Sequence, residues 1–329
     1  MMDRFSGRSF FRRSRPAAFA FSDILLVLVP LALMASFFYG VRALFVLGIA
    51  VATALVTEAL GCFLMKKEIP KGDWSSVVTG LILGLMLPAG VPYWVPAAGS
   101  AFAILVAKLP FGGTGRNIFN PACAGWAFLA LSAPGEMFRF PHPALFGSVS
   151  PSYAPGFSPG VSPASMLKLR SLPGDNPVDL LLGSACGPMG TTCIVVLCAA
   201  FFVLVLRKPR LLAVTLPFLG AVVLFASVFP RVPSGIGDSV FYELFSGSLL
   251  FCAMFAATDT VTSPRTLPGK ILFGIGCGLF TMLFRRYGAY EEGACFAILL
   301  MNAASPRLDE LIRRLSARFG PYTEGGYAA

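Results

Sequence analysis

Three polar side chains interrupt long apolar runs of this 329-residue sequence, Glu58, Glu243 and Asn302, and a fourth, Asp259, follows directly on such a run. A carboxylate or amide at membrane depth is costly unless it is paired or faces water, so each is a functional hypothesis by default. Glu58 is the candidate for an ion pathway, although a carboxylate near a helix end also pairs readily with a neighbouring base. Asp259 is followed by Thr260, Val261, Thr262, Ser263 and Pro264, a run suited to ending a helix and closing a turn. Gly112, Gly113, Thr114, Gly115, Arg116 and Asn117 form an amide-rich loop ahead of Asn120-Pro121. Such loops can cradle phosphate, but no Lys-Ser/Thr ending makes this one a nucleotide loop, and a tight inter-helix turn is the alternative. The eight cysteines include no CxxC pair and read as small buried apolar residues, while a single histidine argues against a His-based metal site. With no Ser-His-Asp set, GxSxG elbow or HExxH motif, any redox or transport chemistry needs a bound cofactor or partner subunits.

The elements that would position these residues are apolar to an unusual degree. Hydrophobic residues make up 56% and charged residues 13% of the chain, and mean hydropathy is +0.75. A water-soluble surface needs roughly 25% charged residues, so the solvent of this chain is lipid. The net charge of +10 does not point to nucleic acid, because the basic residues sit in short clusters between apolar runs. Ten apolar segments are legible, near 24–39, 43–65, 76–89, 93–109, 121–133, 188–206, 211–229, 238–257, 270–284 and 291–306. Several are shorter than the about 20 residues of a straight span. The third carries Gly80, Gly84 and Pro88, and the fifth opens on Asn120-Pro121. Helices broken in this way are tolerated only where protein or a polar cavity satisfies the freed backbone groups. The first segment follows Arg12, Arg13 and Arg15 but reads as a span rather than a cleaved signal, since nine more follow.

With both termini cytoplasmic, 19 of the 26 Lys and Arg fall on the inside and 7 on the outside, the dissonant loop being Arg285-Arg286. The long connection 134–187 then lies outside. It is rich in Pro, Ser and Gly, shows no helical or strand period, and is either functional or a flexible linker. It divides the chain into five spans and five, the arithmetic of an inverted repeat. The expected fold is thus an all-α integral membrane protein of about ten transmembrane helices in a 5+5 inverted repeat. Its divisions are a basic segment 1–23, membrane halves 24–133 and 188–306, the external loop 134–187 and a tail 307–329.

Three polar stretches carry a resemblance to a known family. Phe111 through Ala122 is similar to a GRNxFNPA run, Ala257 through Pro264 to an ATDPVTSP turn, and Tyr287 through Asn302 to a GGYPDGxAFAxLLMN segment. Together, in this order and spacing, they resemble the RnfD/NqrB family, membrane subunits of ion-translocating ferredoxin:NAD and NADH:quinone oxidoreductases. The resemblance implies a cell inner-membrane flavoprotein with urea-transporter-like architecture, partnered by the other subunits of an Rnf complex. It would couple electron transfer between ferredoxin and NAD to Na⁺ or H⁺ translocation without being catalytic alone. It also implies FMN joined by a phosphoester to a threonine of the external loop. Here Ser165 takes that place, in Val161-Ser162-Pro163-Ala164-Ser165, and a serine hydroxyl can form the same bond. Ser162 is a second hydroxyl there. Arg116, Asn117, Asn120 and Asp259 would organise the inner helix breaks or hold a second flavin, riboflavin among the options. The sequence departs from the family at Thr191, where a glutamate is usual. A urea-transporter-like solute channel and a flavin-free scaffold of the same complex are the alternatives.

Overall fold

A computed structural model describes residues 17–66, 73–143 and 159–319. The first half of the chain forms α1 (Ala17–Tyr39), α2 (Val41–Leu64), α3 (Ser75–Leu85), α4 (Trp94–Leu105) and α5 (Pro121–Ser132). The long connection carries α6 (Pro134–Met137), α7 (Pro163–Lys168) and α8 (Pro177–Leu182). The second half forms α9 (Ile194–Arg207), α10 (Leu212–Val228), α11 (Ile236–Phe245) continued by α12 (Leu249–Phe251), α13 (Leu267–Tyr287) and α14 (Ala294–Phe319). All ten apolar segments thus fall on helices. Among the described residues the only β pairing is one isolated bridge, Phe140 to Gly160. Four stretches are single helices long and apolar enough to cross a bilayer: Ser22–Tyr39, Val41–Leu64, Pro209–Val228 and Leu267–Tyr287. The pair Ile236–Phe245 and Leu249–Ala256, bent by 65°, makes a fifth, while α3, α4, α5 and α9 are shorter apolar helices. Their outer faces are greasy, with Leu33, Phe63, Leu64, Leu206 and Leu224 all more than 60% exposed. Apolar surface of this extent belongs against lipid tails.

Close backbone approach at glycines sets the packing. On α3, a Cβ at Gly80 would stand 2.8 Å from Val51 Cα of α2, and on α13 Cβ atoms at Gly274 and Gly278 would collide with the Val214 and Phe218 carbonyl oxygens of α10. Small residues four apart let helices touch where lipid offers no hydrophobic drive to associate. Gly80 and Gly84 repeat on α3 the spacing of Gly274 and Gly278 on α13.

Two breaks interrupt the bundle, and in each a buried arginine from another segment satisfies the released carbonyls. Beyond α3, Arg42 donates from Nε to Ala89 O (2.7 Å) and from Nη2 to Gly90 O (3.2 Å) and Val91 O (2.8 Å). Between α11 and α12, Arg285 donates from Nη2 to Ser246 O (2.9 Å) and from Nη1 to Glu243 O (2.8 Å). Glu292 accepts from Ser248 N (2.7 Å) and Ser248 Oγ (2.9 Å). Gly247 lies at φ 64°, and a Cβ there would overlap Glu292 Oε1. The same guanidinium pairs with Glu243 and Glu292, each at 3.3 Å, and Arg231 Nε reaches Glu243 Oε1 at 2.5 Å.

These contacts correct the loop assignments. Arg42 and Arg285 are not loop charges: they are 1% and 0% exposed, and α13 runs through Arg285-Arg286 to Tyr287. Lys108, counted as an inside loop charge, is likewise buried. The long connection, expected to lack regular structure, contains the three short helices α6, α7 and α8. Each begins with proline, whose fixed φ suits the first helical position; residues 144–158 lie outside the described residues. At the far end, α14 does not stop at 306 but continues through Pro306 to Phe319. The basic residues before 17 also lie outside the description.

Candidate functional site

Ser165 sits in the first turn of α7. Ser162 caps that helix, its Oγ accepting from Ser165 N (3.1 Å), while Ser165 Oγ donates to Ser162 O (2.7 Å). Ser162 Oγ donates in turn to Glu291 Oε1 (2.8 Å), which ties the helix to the α13–α14 connection. One turn on from Ser165, Lys168 Nζ donates to Gly288 O (3.1 Å) and Ala289 O of the same connection. Burial pushes the Glu291 carboxyl up to about 7, and the adjacent Glu292 adds to that, against the opposing effects of Ser162, Arg285 and Lys168. Burial lowers the Lys168 ammonium from its ordinary value. Beside Glu291, the Tyr290 ring stacks on Phe138 (centroids 5.2 Å apart, 16° between planes) and lies nearly parallel to Phe296 at 6.4 Å. Ser165 is half-buried, whereas Ser162 is 3% exposed.

These residues fit a flavin phosphoester. A hydroxyl with an exposed side, an ammonium one turn away for the phosphate, a carboxylate near neutrality and an aromatic stack come together at one end of the bundle. Sequence reasoning reached Ser162 and Ser165 but assigned no role to Glu291 or Lys168. The signal was present in Glu291-Glu292 directly before an apolar run, a costly place for two carboxylates without partners.

The remaining expected residues gather at the opposite end. Asn120 caps α5, accepting from Cys123 N (3.2 Å) and donating to Ala256 O (3.0 Å) at the end of the broken span. Asp259 closes its own turn, accepting from Val261 N (3.0 Å) and Thr262 Oγ1 (3.2 Å); burial raises its carboxyl above the usual range. Asn117 donates to Phe119 O (3.3 Å). Asn117, Asn120 and Asp259 line a cavity of about 50 Å³ with Ser75, Thr79 and Lys108. Arg116 lines an adjoining cleft instead. The glycine loop is a tight turn, with Gly112, Gly113 and Gly115 all at positive φ. Glu58 is paired: Lys108 Nζ reaches its Oε1 at 2.6 Å and Ser76 Oγ its Oε2 at 2.5 Å, and Lys108 also donates to Ser75 and Ser76. Asn120 and Asp259 thereby satisfy polar groups at the start of α5 and in the turn after the broken span. Thr191 holds a short turn through Pro188 O (3.0 Å).

Along residues 5–318 the sequence matches the NQR2, RnfD, RnfE family. The chain belongs to this family. Among its relatives, the D component of the Na(+)-translocating ferredoxin:NAD(+) oxidoreductase complex of Acetobacterium woodii is 32% identical over 304 residues, 92% of this chain and 91% of that one. The D component of the proton-translocating ferredoxin:NAD(+) oxidoreductase complex of Clostridium ljungdahlii is 34% identical over 292 residues, 88% of each chain. The D component of an ion-translocating oxidoreductase complex of Halorhodospira halophila is 32% identical over 317 residues, 88% of each chain. Membership in the NQR2, RnfD, RnfE family bears out the resemblance carried by the three polar stretches, all of which lie within the matched residues.

Proposed function

We propose that this chain is the membrane-embedded D-type component of an Rnf-type electron-transport complex, a redox-driven translocase in which electron transfer between ferredoxin and NAD moves Na⁺ or H⁺. The observation that carries this reading is the family match over nearly the whole length, with relatives at 32–34% identity named as components of ferredoxin:NAD(+) oxidoreductase complexes. The other subunits of the complex are its partners. The helix packing supports ten membrane segments in two inverted halves: α2 packs on α3 and α4 and α4 on α5, as α10 packs on α11 and α13 and α13 on α14. The Glu58–Lys108 pair at the α2 and α4 ends has its counterpart in the Arg231–Glu243–Arg285 network at the α10 and α13 ends. Removing buried Arg42, Lys108, Arg231 and Arg285 from the loop charges widens the basic excess on one side. That supports cytoplasmic termini in an inner membrane, with 134–187 outside.

In this reading Ser165 anchors FMN, which supplies an electron carrier at the membrane surface. Lys168 neutralises phosphate charge, Ser162 and Glu291 hold α7 against the bundle, and the Tyr290 stack offers a flat apolar wall. Riboflavin at the opposite end would be held at the cavity that Asn117, Asn120 and Asp259 line together. Glu58 enters an ion path only as half of its pair with Lys108.

Purified protein tests the anchor. Flavin fluorescence that survives denaturing electrophoresis, persists in Ser165→Thr and disappears in Ser165→Ala is the expected result, together with an FMN adduct on the 159–168 peptide by mass spectrometry. Lack of any covalent or extractable flavin would favour the scaffold, and solute flux through the protein alone in liposomes would favour the channel.

A further inference from the structure

The cleft at the end of the bundle opposite Ser165 has a volume of about 570 Å³ and is lined by Arg116, Arg265, Asn302, Ser305, Asp309 and Arg313, among others. Asn302 is 1% exposed, and among the described residues neither its Nδ2 nor its Oδ1 has a hydrogen-bond partner. A buried amide left in that state costs about 1–3 kcal/mol per unsatisfied group, so it calls for a ligand. Among the described residues the guanidiniums of Arg116 and Arg265 have no hydrogen-bond or ion-pair partner either. The acidic groups nearby are engaged: Asp309 accepts from Arg265 N, Thr266 N and Thr266 Oγ1, and Glu310 holds Arg313 and Arg314.

What the cleft offers defines what fits it. Two guanidiniums without a partner among the described residues ask for an anion. Asn302 asks for more, because its Nδ2 needs an acceptor and its Oδ1 a donor: chloride or a fully ionised phosphate diester leaves the oxygen unmet, and an alkali cation leaves the amino group unmet. An anion that carries hydroxyl groups answers both. Apolar side chains flank the site, with Ile118 in its lining 43% exposed and Leu267 and Ile271, at the start of α13, 47% and 40% exposed. We propose that this cleft binds the headgroup of an anionic glycerophospholipid, its phosphate on Arg116 and Arg265, its glycerol hydroxyls on Asn302 and its acyl chains along Ile118 and the exposed face of α13. Basic pockets between membrane helices take such headgroups by the same physics.

The test is native mass spectrometry of the full-length protein in detergent, titrated with phosphatidylglycerol, phosphatidylcholine or soluble glycerol 3-phosphate. Preference for phosphatidylglycerol over phosphatidylcholine is expected at about tenfold, because choline carries no hydroxyl for Asn302 and leaves its buried amide unmet. Asn302→Leu should abolish the preference, and the pair Arg116→Gln with Arg265→Gln should weaken binding of both lipids by about tenfold or more, leaving thermal stability close to wild type because those side chains have no partner among the described residues. Equal binding of the two lipids overturns the proposal, as does saturation by glycerol 3-phosphate at the affinity of the lipid, or recovery of a flavin from the cleft. The result is independent of whether Ser165 carries FMN.

Discussion

Glu291 connects titration to structure near neutral pH. Its carboxyl is displaced from 4.5 to about 7, and it is the group that receives Ser162 Oγ. A carboxyl whose folded pKa lies above its unfolded value holds more protons in the folded state throughout the interval between the two. Stability therefore falls as pH rises from about 4.5 to about 7 and is flat for this group beyond it. Thermal unfolding of the purified protein between pH 5 and pH 8 should show this loss, and Glu291→Gln should remove it. An unchanged pH slope in the variant would detach Glu291 from the stability of the loop. At this scale Ser165 was legible only through family resemblance, since nothing in composition distinguishes it from the other serines of the long connection. Lys168 and Glu291, distant in sequence, meet only because α7 folds onto the α13–α14 connection.

Among the elements, the bent span α11–α12 depends on charges that it does not itself carry. Removing one partner of a buried ion pair costs about 3–5 kcal/mol because the other partner stays behind uncompensated. Arg285→Leu strips Glu292 of its ion-pair partner, leaves Glu243 to Arg231 alone and frees Ser246 O, so a loss of that order is expected, read as a large drop in the temperature at which detergent-solubilised protein remains monodisperse. Exchanging the surface pair of Asp23 with Arg207 and Lys208 should change it little, since exposed ion pairs contribute about 0–1 kcal/mol. Hydropathy located every apolar helix but misplaced the end of α13. Two adjacent arginines ordinarily mark a loop, and the carboxylates that let Arg285 stay buried lie 42 residues earlier, at Glu243, and across the following connection, at Glu292. The three short helices of the long connection escaped for a related reason: four to six residues are too few to display a helical period, and their proline starts resemble loop composition. Glycine spacing was visible on α3 as an interruption, whereas its use as a contact with α2 required the fold.

Taken as a whole, the molecule has two chemically distinct ends. One holds α7, Glu291 and the Arg231–Glu243–Arg285–Glu292 network; the other holds the Glu58–Lys108 pair, the Asn120 and Asp259 turns and the arginine-lined cleft. Single cysteines placed at Val161 or Leu169, 61% and 72% exposed, should react with a membrane-impermeant maleimide in intact cells, while one at Arg313 should react only after permeabilisation. The reverse pattern would invert the proposed orientation. The break at Ser246–Ser248 also bears on how the chain is made. Its carbonyl at Ser246 waits for Arg285, a residue synthesised 39 positions later, and Ser248 waits for Glu292, 44 positions later. Until α13 and the start of α14 leave the ribosome, the kink has naked polar groups and no reason to adopt its final angle. The second half is thus obliged to enter the bilayer as one late-maturing unit, and a translation product ending before residue 285 is a natural substrate for membrane quality-control proteases.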